Sequence, residues 1–343
     1  MSDIKLIKSS DEHFTITRKK YGRGFQYFYL DGEKMSCKKQ LARIKKLVIP
    51  PMWQDVRVCE LPVGHIQATG IDLKRRKQYI YHDLWHQQRQ AEKFAKLIEF
   101  ASRLPQIRSQ CLADLQSPGW PKNKVLALMV LILDETGIRI GNPKYTQRNQ
   151  SYGLSTLRRK HVEVEDNSLS LKFTGKSSKS RHIEIDDDKL VKLITQASQQ
   201  PGYTLFRFKD DQQKWQDVDS DEVNDYIQNI IGDDFTCKDF RTWTGTRLAY
   251  ELLPESHAQK RQYPRRKLET ILVKTVAKQL GNTPSVCRTY YIHPTLLAAI
   301  STQELTSVMV KDVPDMPIDD PSLSPSEQHI LTLLTQYNGK QNA

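Results

Sequence analysis

Nine consecutive apolar residues, from Val125 to Leu133, constrain this 343-residue chain more than any other stretch. The run is about half the length that a bilayer span requires, so it has to be buried in a protein core. Lys122 precedes it, and Thr136 and Gly137 follow it; glycine is a common residue just past a helix end. The pattern predicts a helix over 122–136 that forms the centre of a domain.

The sequence before this helix reads differently from the sequence after it. Residues 14–18 and 25–29 are aromatic and β-branched and predict strands, with Asp31-Gly32 as the following turn. A basic helix over 38–46 stops before Pro50-Pro51. Two more strands fit 56–59 and 78–81, with Lys74-Arg75-Arg76-Lys77 between them. The character changes near His82. Phe94, Leu97, Ile98 and Ala101 recur at three- and four-residue spacing in a helix over 87–115, which Pro118-Gly119 interrupts. Leu169, Leu171 and Phe173 alternate with polar residues, and His182 and Glu184 lie on the opposite face of a second strand from Ile183 and Ile185. Together they predict a two-stranded hairpin with its tip at 174–180. Helices are predicted over 191–199, 220–231, 238–253, 266–280 and 284–291. Past Val310 the chain is acidic and proline-rich (Asp312, Pro314, Asp315, Pro317), as a linker would be. Ser324-Pro325 then open a short terminal helix. The fold class is α+β: a small β-rich domain over 1–85, a larger, mainly helical domain with a hairpin over 86–310, and a linker with a helical tail over 311–343.

The net charge of +12 points to a polyanionic partner, nucleic acid first, with a solubilising surface as the plain alternative. The first residues hold no apolar core of a secretory signal. Five scattered cysteines without a C-x-x-C pair support neither a disulfide framework nor a zinc cluster, so a reduced, intracellular setting is expected.

Gly175-Lys176-Ser177 invites a phosphate-loop reading, but Ser170 stands where the first glycine of that motif belongs, and a strand follows in place of a helix. Lys176 is then a cation on a hairpin tip, able to enter a DNA groove or simply solvated. Arg139 sits between apolar neighbours and the glycines Gly137 and Gly141, held either for a ligand or for Asp134 or Glu135. Thr236 can cap a helix whose first two turns include Arg241, where an anion is favoured; a surface arginine is the alternative. Asn282 follows Gly281 at a helix end, as a turn residue or as a phosphate ligand. Tyr291 is nine residues further on. A neutral phenol is a weak nucleophile at neutral pH, and two arginines could supply the help it needs by holding the phosphate oxygens.

These residues carry a resemblance. Ile49-Pro50-Pro51-Met52-Trp53, the block from Gly70-Ile71-Asp72 through Gln78-Tyr79-Ile80-Tyr81-His82, Arg139-Ile140-Gly141-Asn142, Tyr152-Gly153-Leu154-Ser155, Gly175-Lys176, Lys238-Asp239-Phe240-Arg241-Thr242 and Leu280-Gly281-Asn282 through Tyr291-Ile292-His293-Pro294 are similar, in order and spacing, to type IB DNA topoisomerases of the small poxvirus and bacterial kind. The resemblance implies a catalytic set of Tyr291, Arg139, Lys176, Arg241 and Asn282. Tyr291 would form a 3′-phosphotyrosyl link, with Lys176 as acid to the leaving 5′ oxygen. It implies double-stranded DNA as partner, contacted by Lys74, Gln78, Tyr79, Tyr81 and Tyr145, with the two domains closing as a clamp. It implies no nucleotide, metal or other cofactor, no membrane association, a monomer, and relaxation of supercoils of both signs. Poxvirus relatives carry His where this chain has Asn282, which tilts the expectation towards a bacterial, cytoplasmic, nucleoid-associated protein. Asparagine can donate to phosphate but cannot carry a full charge. Tyrosine recombinases share the constellation, yet typically place His where Lys238 stands. A non-catalytic DNA-binding protein would explain the charge but not the ordered set.

Overall fold

The structure, a computed structural model, describes residues 5–165, 168–305 and 319–341. The acidic, proline-rich stretch around Asp312 and Pro317 lies outside the described residues. The chain divides into two compact units between Lys93 and Phe94. That division and the expected junction near residue 85 bracket the first turns of one long helix, Asp83–Leu115.

The first unit is an antiparallel sheet with one helix on it. Its strands are β1 (Ile16–Tyr21), β2 (Gly24–Tyr29), β3 (Gln54–Val58), β4 (Ile66–Ile71) and β5 (Lys77–Tyr81), in the spatial order β2-β1-β3-β4-β5. Helix α1 (Lys38–Lys46) puts Ile44 into a core shared with Ile16, Met35, Ile49, Val56, Val58 and Ala68. Strand β4 has no counterpart in the sequence reading. Its Gln67 and Thr69 are buried, which hides the usual alternation of apolar and polar residues. Gln67 is tolerated because it is hydrogen-bonded: its amide donates to the Gly64 carbonyl at 2.7 Å and accepts from Arg43. Gly70 is required for space, since a Cβ there would stand 2.7 Å from the Trp53 ring.

The second unit is mainly helical. The long helix α2 (Asp83–Leu115) is followed by α3 (Lys122–Thr136), in which residues 125–134 are all buried, and Gly137 ends it in the left-handed conformation at φ +57°. Helix α4 (Pro143–Asn149) comes next, then a sheet of three strands, β6 (Val162–Glu165), β7 (Ser168–Gly175) and β8 (Lys179–Ile185), in the order β6-β7-β8. The expected two-stranded hairpin therefore has a third partner; exposed Glu163 and Glu165 mask it in sequence. Helix α5 (Asp188–Ser198), a two-stranded ribbon of β9 (Arg207–Lys209) and β10 (Trp215–Asp217), and α6 (Ser220–Ile231) follow. After them come α7 (Cys237–Glu251), α8 (Leu253–Gln262), α9 (Leu268–Leu280), α10 (Pro284–Tyr290), α11 (Pro294–Ser301) and α12 (Pro325–Gln341). The helix expected over 238–253 corresponds to α7; α8, which follows a bend at Leu252 before Pro254, was not expected. Apolar residues from these helices and from the inner face of β7 and β8 surround α3 in one core. No helix among the described residues is long and apolar enough to cross a membrane.

One buried ion network ties the late helix α12 to the middle of this unit. Arg108 of α2 pairs with Asp134 of α3 and Glu327 of α12, each at 2.7 Å. Glu327 also accepts from the Trp243 indole of α7 at 2.8 Å. Such a network is favourable only when every member is satisfied; removing one partner leaves a buried charge and costs about 3–5 kcal/mol.

Two buried histidines make the fold acid-sensitive. Burial pushes His161 and His293 down to about 4. Each also uses Nδ1 to accept a backbone N–H, from Arg158 at 3.0 Å and from Thr295 at 3.2 Å, which requires that nitrogen to be unprotonated. The unfolded chain takes up these protons near a pH of about 6.5, so it binds more protons than the folded chain between about 6.5 and 4. Stability therefore falls as the pH drops through that window, by on the order of 3 kcal/mol per histidine across its whole width. Urea unfolding at pH 7, 6 and 5 checks this: a midpoint that does not move by pH 5 contradicts it.

Candidate active site

The site is assembled where three helix ends meet. The left-handed Gly137 turns the chain out of α3 and into the segment that carries Arg139. Gly141, at φ +93°, and Gly153 let two backbone segments touch: a Cβ on Gly153 would lie 2.5 Å from the Arg139 carbonyl. That carbonyl and the next accept from Leu154 N–H at 2.8 Å and Ser155 N–H at 2.7 Å. Arg139 is thus anchored through its backbone while its guanidinium donates to the Asn282 side-chain oxygen. The expected alternative, a pair with Asp134, is not formed; Asp134 belongs to Arg108.

Thr236 caps α7, accepting from Lys238 N–H, and Asp239 completes a capping box. Arg241 lies in the following turn. It donates to the Gly137 and Leu280 carbonyls, at the C-terminal ends of α3 and α9. As expected, Arg241 falls within the first two turns of α7; its guanidinium is held there only 4% exposed. Desolvation and the neighbouring Arg139 charge push Arg241 down to about 10, so it stays charged at neutral pH.

Helix α9 ends at Gly281, at φ +61°, and the Asn282 N–H closes on the Ala277 carbonyl at 2.9 Å. This double-capped end fixes Asn282. Thr283 then caps α10 through Val286 N–H. Tyr291 sits one residue beyond α10, its ring 5.1 Å from the Arg241 guanidinium carbon. Its main chain rests on α7. Thr246 Oγ1 donates to the Tyr291 carbonyl at 3.3 Å, and a Cβ on Gly245 would meet the same oxygen at 2.5 Å. Tyr290, by contrast, is 38% exposed.

Arg139, Arg241, Asn282 and Tyr291 therefore converge. Two of their buried nitrogens, Arg241 Nε and Asn282 Nδ2, have no hydrogen-bond partner among the described residues. Buried unpaired donors carry a cost that an incoming acceptor would remove. Neither arginine has a carboxylate partner among the described residues, so the charge that fits here is that of an anionic ligand. Lys176 is not drawn into this cluster. It is exposed, on the short turn between β7 and β8, where Ser177 and Ser178 have positive φ.

The sequence reading missed Arg181. It lies on β8, 8% exposed, and donates to the Gln279 carbonyl at 2.6 Å. Its signal was available: it occupies the inward register of β8, alternating with Ile183 and Ile185.

In the first unit, β5 places Tyr79 and Tyr81 on one face, stacked at 6.1 Å, with Ile80 turned to the core. The Gln78 amide donates to Asp72 at 2.9 Å, and Asp72 also accepts from Arg76. The Arg76 guanidinium and backbone N–H hold that carboxyl at about 2. Lys74 is exposed on the turn between β4 and β5. Tyr145 lies half-buried on α4, whose first N–H groups are capped by Asn142. Among the described residues no group of three or more His, Cys, Asp or Glu side chains could hold a metal.

Comparison with known proteins identifies the family. Residues 82–309 match the model of the eukaryotic DNA topoisomerase I catalytic core, and residues 24–72 match that of the bacterial DNA topoisomerase IB N-terminal domain. DNA topoisomerase 1B of Acanthamoeba polyphaga mimivirus is 34% identical over 285 residues, covering 81% of this chain and 84% of the viral protein. DNA topoisomerase 1B of vaccinia virus (strain Copenhagen) is 24% identical over 248 residues, covering 71% and 75%. DNA topoisomerase 1 of rabbit fibroma virus is 24% identical over 289 residues, covering 81% and 86%. The chain belongs to the type IB DNA topoisomerase family. The bacterial family model matches only residues 24–72, within the first unit, and the relatives named here are viral.

Proposed function

We propose that this enzyme relaxes positive and negative supercoils in double-stranded DNA by nicking one strand, allowing rotation about the other and resealing. The observation that carries the reading is the convergence of Arg139, Arg241 and Asn282 beside Tyr291, with two buried donors left open. In cleavage the Tyr291 oxygen bonds to phosphorus as the bond from phosphorus to the 5′ oxygen breaks. The phenolic proton leaves to solvent, and the Lys176 ammonium gives a proton to the departing oxygen. Arg139 and Arg241 hold the non-bridging oxygens, where charge builds in the transition state. Asn282 donates one neutral hydrogen bond to the same group. The phosphotyrosine keeps the energy of the broken bond, so resealing is the same step reversed and draws on no nucleotide. The cations are side chains, so activity is expected to survive a chelator.

The first unit would supply the remaining grip on the duplex. Lys74 suits a phosphate, and Gln78, Tyr79 and Tyr81 suit base edges and sugar. Tyr145 would contact DNA beside the cleavage site. The two units would act as a clamp, one protein molecule per duplex, wherever in the cell the DNA lies.

The test is incubation with supercoiled plasmid in EDTA without ATP, followed by detergent trapping. Relaxation with a covalent adduct is expected. No relaxation and no adduct would sink the proposal, and recombinant products would favour a recombinase. A second prediction concerns Lys176. Lys176→Ala should slow cleavage by about 10²–10⁴-fold on an ordinary phosphodiester. The loss should be far smaller on a substrate with sulfur at the 5′ bridging position, a leaving group that needs no acid. Equal slowing on both contradicts the role given to Lys176.

A further inference from the structure

The Lys176 turn is exposed, yet an acid must be held within reach of one oxygen. Something has to fix the hairpin to the phosphate-binding residues, and one side chain has the required contacts. Arg181 faces inward on β8 and pairs in register with Phe173 on β7. Its guanidinium donates to the Gln279 carbonyl at 2.6 Å and to the Lys278 carbonyl at 3.4 Å. It lies flat against Gly281, where any Cβ would collide with it. Its stem occupies the space beside Gly175, where a Cβ would stand 2.8 Å from Arg181 Cγ. Gly175 is the residue before Lys176, and Gly281 is the residue before Asn282. One side chain therefore touches the immediate neighbours of both.

The chemistry of the contact explains why it is arginine. The last carbonyls of α9 lack intrahelical donors, apart from that of Lys278, which also accepts from the capping Gly281 N–H at 3.1 Å. Arg181 serves two of them and Arg241 a third, at Leu280. A planar fork with several donors can do this from a fixed position, whereas a lysine presents a single mobile point. Arg181 has no carboxylate partner among the described residues, so nothing else on the hairpin competes for it. Two glycines have no side chain to obstruct it, and at Gly281 the positive φ independently favours glycine.

We infer that Arg181 is a positioning residue that couples the Lys176 hairpin to the Gly281–Asn282 turn, and so aligns the general acid with the phosphate. This rests on the proposed cleavage chemistry. The prediction is specific to the leaving-group side of the reaction. Without Arg181 the hairpin keeps its strand pairing but loses its tie to α9, so Lys176 samples positions out of reach of the 5′ oxygen. Misplacement by about 1 Å costs on the order of a hundredfold.

The experiment is single-turnover cleavage by Arg181→Ala, Lys176→Ala and the double variant, on oxygen- and sulfur-bridged substrates. Arg181→Ala should cleave the oxygen substrate about a hundredfold more slowly than the parent and recover most of that loss on sulfur. The double variant should be no slower than Lys176→Ala alone. Equal slowing on both substrates, multiplied losses in the double variant, or no effect at all would each overturn the inference. If Arg181→Ala does not fold, Arg181→Lys keeps charge and bulk while losing the fork, and the same two-substrate comparison decides. A parent protein that forms no adduct on either substrate would count against the cleavage reading itself, a separate failure.

Discussion

Tyr291→Phe is expected to abolish the covalent adduct and plasmid relaxation, a loss of about 10⁴-fold or more, as when a nucleophile is removed. The substitution deletes one oxygen and its contact with the Arg241 guanidinium. The main chain at this position is held by Thr246 and by close approach to Gly245, and a phenyl ring can still lie over the Arg241 guanidinium. Thermal stability and DNA affinity should therefore stay near those of the parent. A filter-binding isotherm measured beside the adduct assay separates the two effects. Persistence of the adduct would move the nucleophile to the neighbouring Tyr290, which stands more exposed at the last position of α10.

Arg241→Ala should be nearly as damaging, and for two reasons that can be measured apart. The first is electrostatic: removing one preorganised donor from a transition-state site slows the chemical step by about 10²–10³-fold. The second is structural. Arg241 satisfies the Gly137 and Leu280 carbonyls, and its loss leaves two buried acceptors unpaired, at about 1–3 kcal/mol each. The variant should thus cleave slowly and also melt earlier, whereas Arg139→Ala, which loses its bond to the Asn282 side chain and no carbonyl contact, should lose rate with less change in melting. A variant of Arg241 with unaltered melting would contradict the carbonyl contacts. Unaltered cleavage would remove it from the site.

Local signals served where periodicity and caps coincide. Helix α3 is apolar all round and closed by a glycine, and α6 opens with an Asp219 capping box, so both are legible without a structure. Strand β4 is not, because its buried Gln67 and Thr69 break the apolar alternation, and Gln67 finds a partner in Arg43, on a helix earlier in the chain. Helix α8 is hidden by continuity with α7, and α11 begins at Pro294, which reads as an ending until His293 is seen to cap it. At the site, residue types and order pointed to Arg139, Arg241, Asn282 and Tyr291, which the fold does bring together. What sequence could not convey was how each is held: Arg241 through the ends of two foreign helices, Arg139 through a glycine contact at Gly153, and the Lys176 hairpin through Arg181. Those ties run between segments distant in the chain, and no local pattern records them.

Of the described elements, α12 is the last to be synthesised. Glu327 meets Arg108 and Trp243 only once the ribosome has passed well beyond them, and Trp243 sits two residues from Arg241 on α7. Until then Arg108 and Asp134 lack their third member, and the helix that carries Arg241 lacks its backing. The helix that carries Arg241 is thus packed in full only when the chain has been made as far as α12.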